Sequence, residues 1–108
     1  MEERKQEILD TKHDSNDHVV FIGSKPFMNY VTGVVMQFTT QNAGEVVVKA
    51  RGRFISRAVD VVEVARKRFL EGQIKLADNG IKIDSEEFEN KEGNKVRVST
   101  LEIKLVKK

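Results

Sequence analysis

Two short loops in this chain combine glycine with cations: Gly23-Ser24-Lys25 and Arg51-Gly52-Arg53. Glycine lets backbone amides come close to a ligand. A guanidinium can bridge a phosphate with two hydrogen bonds, and a lysine supplies a compact charge. The chemistry within reach is therefore anion binding, and neither loop holds a carboxylate to neutralise it. The plainer alternative is that Lys25, Arg51 and Arg53 are ordinary solvated loop charges. A dinucleotide site fits poorly, because neither loop contains G-x-G-x-x-G or a P-loop. Two basic loops suit a repeating line of phosphates better than one cofactor, and no cofactor is expected.

Catalytic and metal chemistry have less to work with. The chain has no cysteine, so it has no thiolate nucleophile, no thiolate metal ligand and no disulfide. His13 and His18 lack the i,i+4 spacing of a metal pair, and no metal site is expected. Asp60 and Glu63 lie three apart, but Arg57 and Lys67 stand at helical spacing to pair with them. An enzyme acting on a phosphorylated metabolite would need a general base beside the basic loops, and none is in view. Tyr30, the single tyrosine, reads as helix packing rather than as a stacking platform.

The loops must be held by the elements around them. The 108 residues suffice for one domain with a modest core, and 39% are hydrophobic. Residues 1–17 carry a net −3, residues 18–70 carry +5 and residues 71–108 balance to zero. We read 1–17 as a mobile acidic tail able to compete for the basic segment, and 18–108 as the folded domain. No apolar run approaches the ~20 residues of a membrane span, and no signal peptide opens the chain, so a cytoplasmic protein is expected.

His18-Val19-Val20-Phe21-Ile22 is a continuous apolar run and predicts a strand covered on both faces. Pro26 favours the first position of a helix, followed at helical spacing by Phe27, Tyr30, Val31, Val34, Val35 and Phe38. Gly44 is the expected left-handed stop. Val46-Val47-Val48 predicts a second strand. A second helix runs from Phe54 to Leu70 with Ile55, Ala58, Val59, Val62, Ala65 and Phe69 as its stripe. Val61 and Val64 fall outside that stripe, which points to a partner subunit covering them. Ile74, Leu76, Ile81 and Ile83 predict one long strand with a bulge or kink at Asp78-Asn79-Gly80, a separate tight turn there being the alternative. Residues 86–94 make a polar tip. Val96 to Leu105 form a last strand, whose apolar phase slips after Val98 and predicts a local irregularity.

The order is β-α-β-α-β-β, an α+β two-layer sandwich with a long C-terminal hairpin. A helical crossover makes the first two strands parallel. Both basic loops then follow carboxyl ends of parallel strands on one edge of the sheet, and each opens a helix whose first amides are unpaired donors. The hairpin could enter a nucleic-acid groove as β-ribbons do, but an excess of glutamate at its tip opposes that.

These residues resemble the Alba family of archaeal chromatin proteins. The segment from Gly23 to Val31 is similar to the family's G-K-K-P-x-M-N-Y-V, and the segment from Lys49 to Asp60 to its K-A-R-G-R-x-I-S-x-A-V-D. Residues 66–70 and 97–103 match in character, so the likeness runs in order over 18–108. The resemblance implies a fold like the C-terminal domain of translation initiation factor three. It implies a homodimer, with higher assembly along DNA, that binds and compacts double-stranded DNA without sequence preference and also binds RNA. Chromosome association in the cytoplasm follows. An RNA role, as ribonucleoprotein subunit or RNA chaperone, is the alternative.

By the same resemblance Lys25, Arg51 and Arg53, with Ser24 and Asn29 beside them, are the nucleic-acid contacts. Val61 and Val64 are expected at the dimer contact, and Phe69 matches the family's side-by-side contact between dimers. Ser24 stands where the family often has a lysine subject to acetylation, a control that serine cannot support.

Overall fold

The computed structural model describes residues 18–108; the acidic tail expected over 1–17 lies outside them. Its strands and helices are β1 (Val19–Phe21), α1 (Phe27–Thr39), β2 (Glu45–Arg51), α2 (Ile55–Val64), β3 (Ile74–Glu89) and β4 (Lys95–Lys107). A 3-10 turn at Gly52–Phe54 leads into α2, and a widened π turn at Ala65–Phe69 leads out of it. The sheet order is β1-β2-β4-β3. β1 is parallel to β2, and the other two pairings are antiparallel. The α+β sandwich and its parallel opening pair are as the sequence indicates.

Apolar residues alternate along the central strands because side chains of a strand point to opposite faces. Val46, Val48 and Ala50 of β2 and Leu101, Ile103 and Leu105 of β4 are buried on the inner face. Val31, Val34 and Phe38 of α1 meet them there, with Ala58, Val61 and Val62 of α2. Both helices lie on this one side, and no described element covers the outer face of the sheet.

Several expectations are corrected by this packing. β1 is an edge strand with one covered face, so Phe21 is 70% exposed. Pro26 precedes α1 as its cap, with the extended ψ of 141°. The left-handed residue after α1 is Asn42, at φ 54°, while Gly44 has no positive φ. Val61 is wholly buried in the single chain, so it offers no surface to a second one, and Val64 packs partly buried against the same core. The real stripe is Ala58, Val61, Val62 and Ala65, spaced i, i+3, i+4, i+7. Val59 and Phe69, placed on the stripe from sequence, are exposed.

β4 has no irregularity after Val98: its register with β3 runs unbroken from Ile81↔Ile103 to Glu89↔Lys95. Its apolar side changes because its cover changes. Leu101, Ile103 and Leu105 face the helices. Val98, on the opposite face, meets the Arg51–Arg53 turn, where a methyl on Gly52 would stand 3.2 Å from its Cγ2.

The bulge near Asp78-Asn79-Gly80 is present. Ile81 is five positions after Leu76, while their partners Leu105 and Ile103 are two positions apart. Gly80 makes it possible, since a Cβ there would stand 2.7 Å from the Ala77 carbonyl oxygen and 3.0 Å from that of Lys104. Overpacking of this kind costs about 1–3 kcal/mol. Gly80→Ala should lower the unfolding free energy by that amount and the urea midpoint with it, and an unchanged midpoint would show that the bulge gives way freely.

Candidate nucleic-acid interface

The two basic loops share one edge because β1 and β2 run side by side in the same direction. The Ile22 amide donates to the Lys49 carbonyl at 2.9 Å and carries the pairing to the mouth of the first loop. Two side chains then fix that loop. The Lys25 amide donates to the Tyr30 hydroxyl at 3.0 Å, and the Tyr30 ring is buried beneath it. Arg57 Nη2 donates to the Lys25 carbonyl at 2.7 Å and ties the start of α2 to the loop. Its guanidinium lies 5.9 Å from the Tyr30 ring centre, a favourable position for a cation over an aromatic face. Arg57 thus clamps the two loops together, where the sequence pattern pairs it with Asp60. Tyr30 is packed, as expected, and also positions Lys25.

Ser24, Lys25 and Asn29 are exposed along this edge. Arg51 ends β2 on the outer face of the sheet. Arg53 stands in the following turn, its guanidinium 4.5 Å from the centre of the Phe54 ring. Gly52 between them adopts φ 61°, a left-handed conformation that costs a side chain dearly and glycine little. That conformation sets the two arginines in different surroundings.

The expectation that Arg51 has no neutralising partner is overturned. No carboxylate lies in the loops, but Glu86 of β3 reaches across, with Oε1 3.2 Å from Arg51 Nη1. Both side chains remain more than half exposed. Such a pair contributes roughly 0.2–1 kcal/mol, little enough for a phosphate to displace the carboxylate. Lys49 stands two residues before Arg51 on the same strand face. It lies on the outer face opposite Glu102, 3.6 Å from it.

Phe69, expected at a contact between dimers, is half exposed at the end of the π turn, away from the basic edge. Ile81 and Ile83 are 51% and 77% exposed. They share the inner face with Ile103 and Leu101, beyond the part of the sheet that the helices cover. The alternation in β3 signals their facing, but its exposure depends on where the helices stop.

Glu63 of α2 is engaged by its helix neighbours. Glu63 receives hydrogen bonds from Arg66 at 2.8 and 3.1 Å and an ion pair from Lys67 at 3.5 Å. The Arg66 hydrogen bond, with the charges of Arg66 and Lys67, holds its carboxyl below the usual range. Among the described residues no three His, Asp or Glu side chains are grouped to hold a metal, and no helix is long and apolar enough to cross a membrane.

A family model described as Alba matches residues 18–83. A protein of Nanoarchaeum equitans called "DNA/RNA-binding protein Alba" is 66% identical over 90 residues, covering 82% of this chain and 97% of that protein. Its namesake in Methanococcus maripaludis is 45% identical over 91 residues, covering 84% of this chain and 99% of that protein. The solved structure of Alba from Thermoplasma volcanium superposes with a TM-score of 0.72 at 42% identity, over 82% of this chain and 98% of that one.

Proposed function

The chain belongs to the Alba family, and on that premise we propose that it binds and compacts double-stranded DNA as a homodimer, without sequence preference. The observation that carries this reading is the clamped edge, where Lys25, Arg51 and Arg53 flank two helix starts. Contacts from such an edge reach phosphates, which position a duplex without reading its bases. Counterions released from the duplex would supply most of the affinity. The relatives' names join DNA with RNA, and RNA phosphates would engage the same edge.

Homodimerisation finds support in Ile81 and Ile83, whose exposure would end if a second copy lay against the inner face of β3. Burying an isoleucine is worth roughly 1.5–3 kcal/mol. A dimer would present two basic edges, so that the second engages at high local concentration.

The test is titration of unrelated duplexes across salt, with Glu86→Gln beside the wild type. We expect equal affinities among the sequences and a negative slope of log K against log salt. Releasing Arg51 from its carboxylate should raise duplex affinity by about 1.5- to 5-fold at each edge, the value of an exposed ion pair. A strong preference among duplexes, or a salt-insensitive affinity, would contradict the phosphate mechanism.

A further inference from the structure

We propose that the outer face of the sheet is a stacking site for an unpaired nucleobase, with Phe21 as its platform and Arg51 as the contact for that nucleotide's phosphate. Phe21 lies on the uncovered face of an edge strand at 70% exposure. The face around it is polar: Phe21 is in register with Lys49, and Lys49 with Glu102.

A groove of about 400 Å³ opens beside the ring, lined by Phe21, Lys49, Arg51, Phe54, Thr100 and Glu102. Its wall carries a cation 5.8 Å from the ring centre, the Lys49 ammonium. Arg51 lies two residues beyond Lys49 on the same face, about 7 Å along the strand. That interval suits a nucleotide whose base rests on Phe21 while its phosphate meets the guanidinium. Glu102 and Thr100 stand across the groove as hydrogen-bonding partners for a base edge, and a carboxylate is the natural acceptor for an exocyclic amino group.

The groove favours a single strand over a duplex. A stack on an aromatic ring is available only to a base free of its own pair and neighbours. Unpaired bases of RNA and of DNA offer the same π-face, so both belong to the proposed ligand class. The site rests on the reading of Arg51 as a phosphate contact, and adds to it a discrimination between paired and unpaired strands.

The test uses the full chain with three probes at low salt: a short mixed-sequence RNA, the same sequence as single-stranded DNA, and the corresponding DNA duplex. Phe21→Ala should weaken one or both single strands by about 5- to 150-fold, the worth of one base–aromatic stack, and leave duplex affinity at the wild-type level. Phe21→Trp should restore or exceed wild-type binding to the single strands. Because Phe21 is exposed, both variants should melt as the wild type does. Single-strand affinities unchanged by Phe21→Ala, or an equal loss on the duplex, would overturn the stacking site. Arg51→Ala separates the two readings. If it weakens duplex binding while Phe21→Ala changes nothing, only the stacking site falls; if it leaves duplex and single strands alike untouched, the basic edge falls as well.

Discussion

Alanine at both Arg51 and Arg53 should remove most of the duplex affinity at low salt and flatten its salt dependence. Each phosphate contact contributes about 0.9 to the slope of log K against log salt. Two lost contacts should lower it by about 1.8, or nearly twice that if both edges of a dimer engage one duplex. The loss should be equal on unrelated sequences, because a phosphate contact carries no base information. An arginine reading a base edge would instead cost about 1–3 kcal/mol on preferred sites and relax the preference there. Lys75→Ala, which removes a charge near the start of β3, is the control. If the double variant kept the affinity and slope of that control, the loop edge would not be where phosphates bind.

The second large effect is expected at Ile83. At 77% exposure it contributes little to the fold of one chain, so Ile83→Asp should melt close to the wild type. If the inner face of β3 is where two copies meet, the variant carries two charges into that contact and should sediment as a monomer at micromolar concentration. Duplex affinity should then fall by roughly 10²–10⁴-fold, the range linked binding modules gain over separate ones. A wild-type chain that sediments as a monomer, or an Ile83→Asp chain that remains a dimer, would refute this interface.

The basic edge was legible in the sequence because it follows from local facts and one topological rule. Strand ends, glycines and helix starts are local, and the handedness of a crossover makes the first strands parallel. The phase of α2 was not legible. Val59, Val61, Val62 and Val64 crowd into six positions, so two stripes fit equally well, and only the packed structure shows which valine faces outward. The run from Val19 to Ile22 reads as apolar on both sides, and nothing within it says that β1 will be an edge.

Glu86 escaped for a different reason. Its partner Arg51 is 35 residues away, and their meeting depends on the bulge. Three extra residues, an odd number, exchange the two faces of β3. Ile74 and Leu76 occupy even positions and Ile81 and Ile83 odd ones, so this exchange is written in the sequence. It is what turns Glu86 to the outer face, where Arg51 stands.

That bulge also bears on how the molecule stays in solution. β3 is the sheet's long outer strand, 16 residues with one side of its backbone unpaired among the described residues. An uninterrupted edge of that length is a template on which strands of other molecules can grow. Here the kink at Asp78-Asn79-Gly80 cuts the edge into two shorter pieces out of line with each other. Lys75, Lys82, Asp84, Glu86, Glu87 and Glu89 put charges along both pieces. The opposite edge, β1, is only three residues long. On the proposed reading, many copies would lie along one duplex and be concentrated locally. An interrupted, charged border lets such crowding proceed without the sheets fusing into fibres.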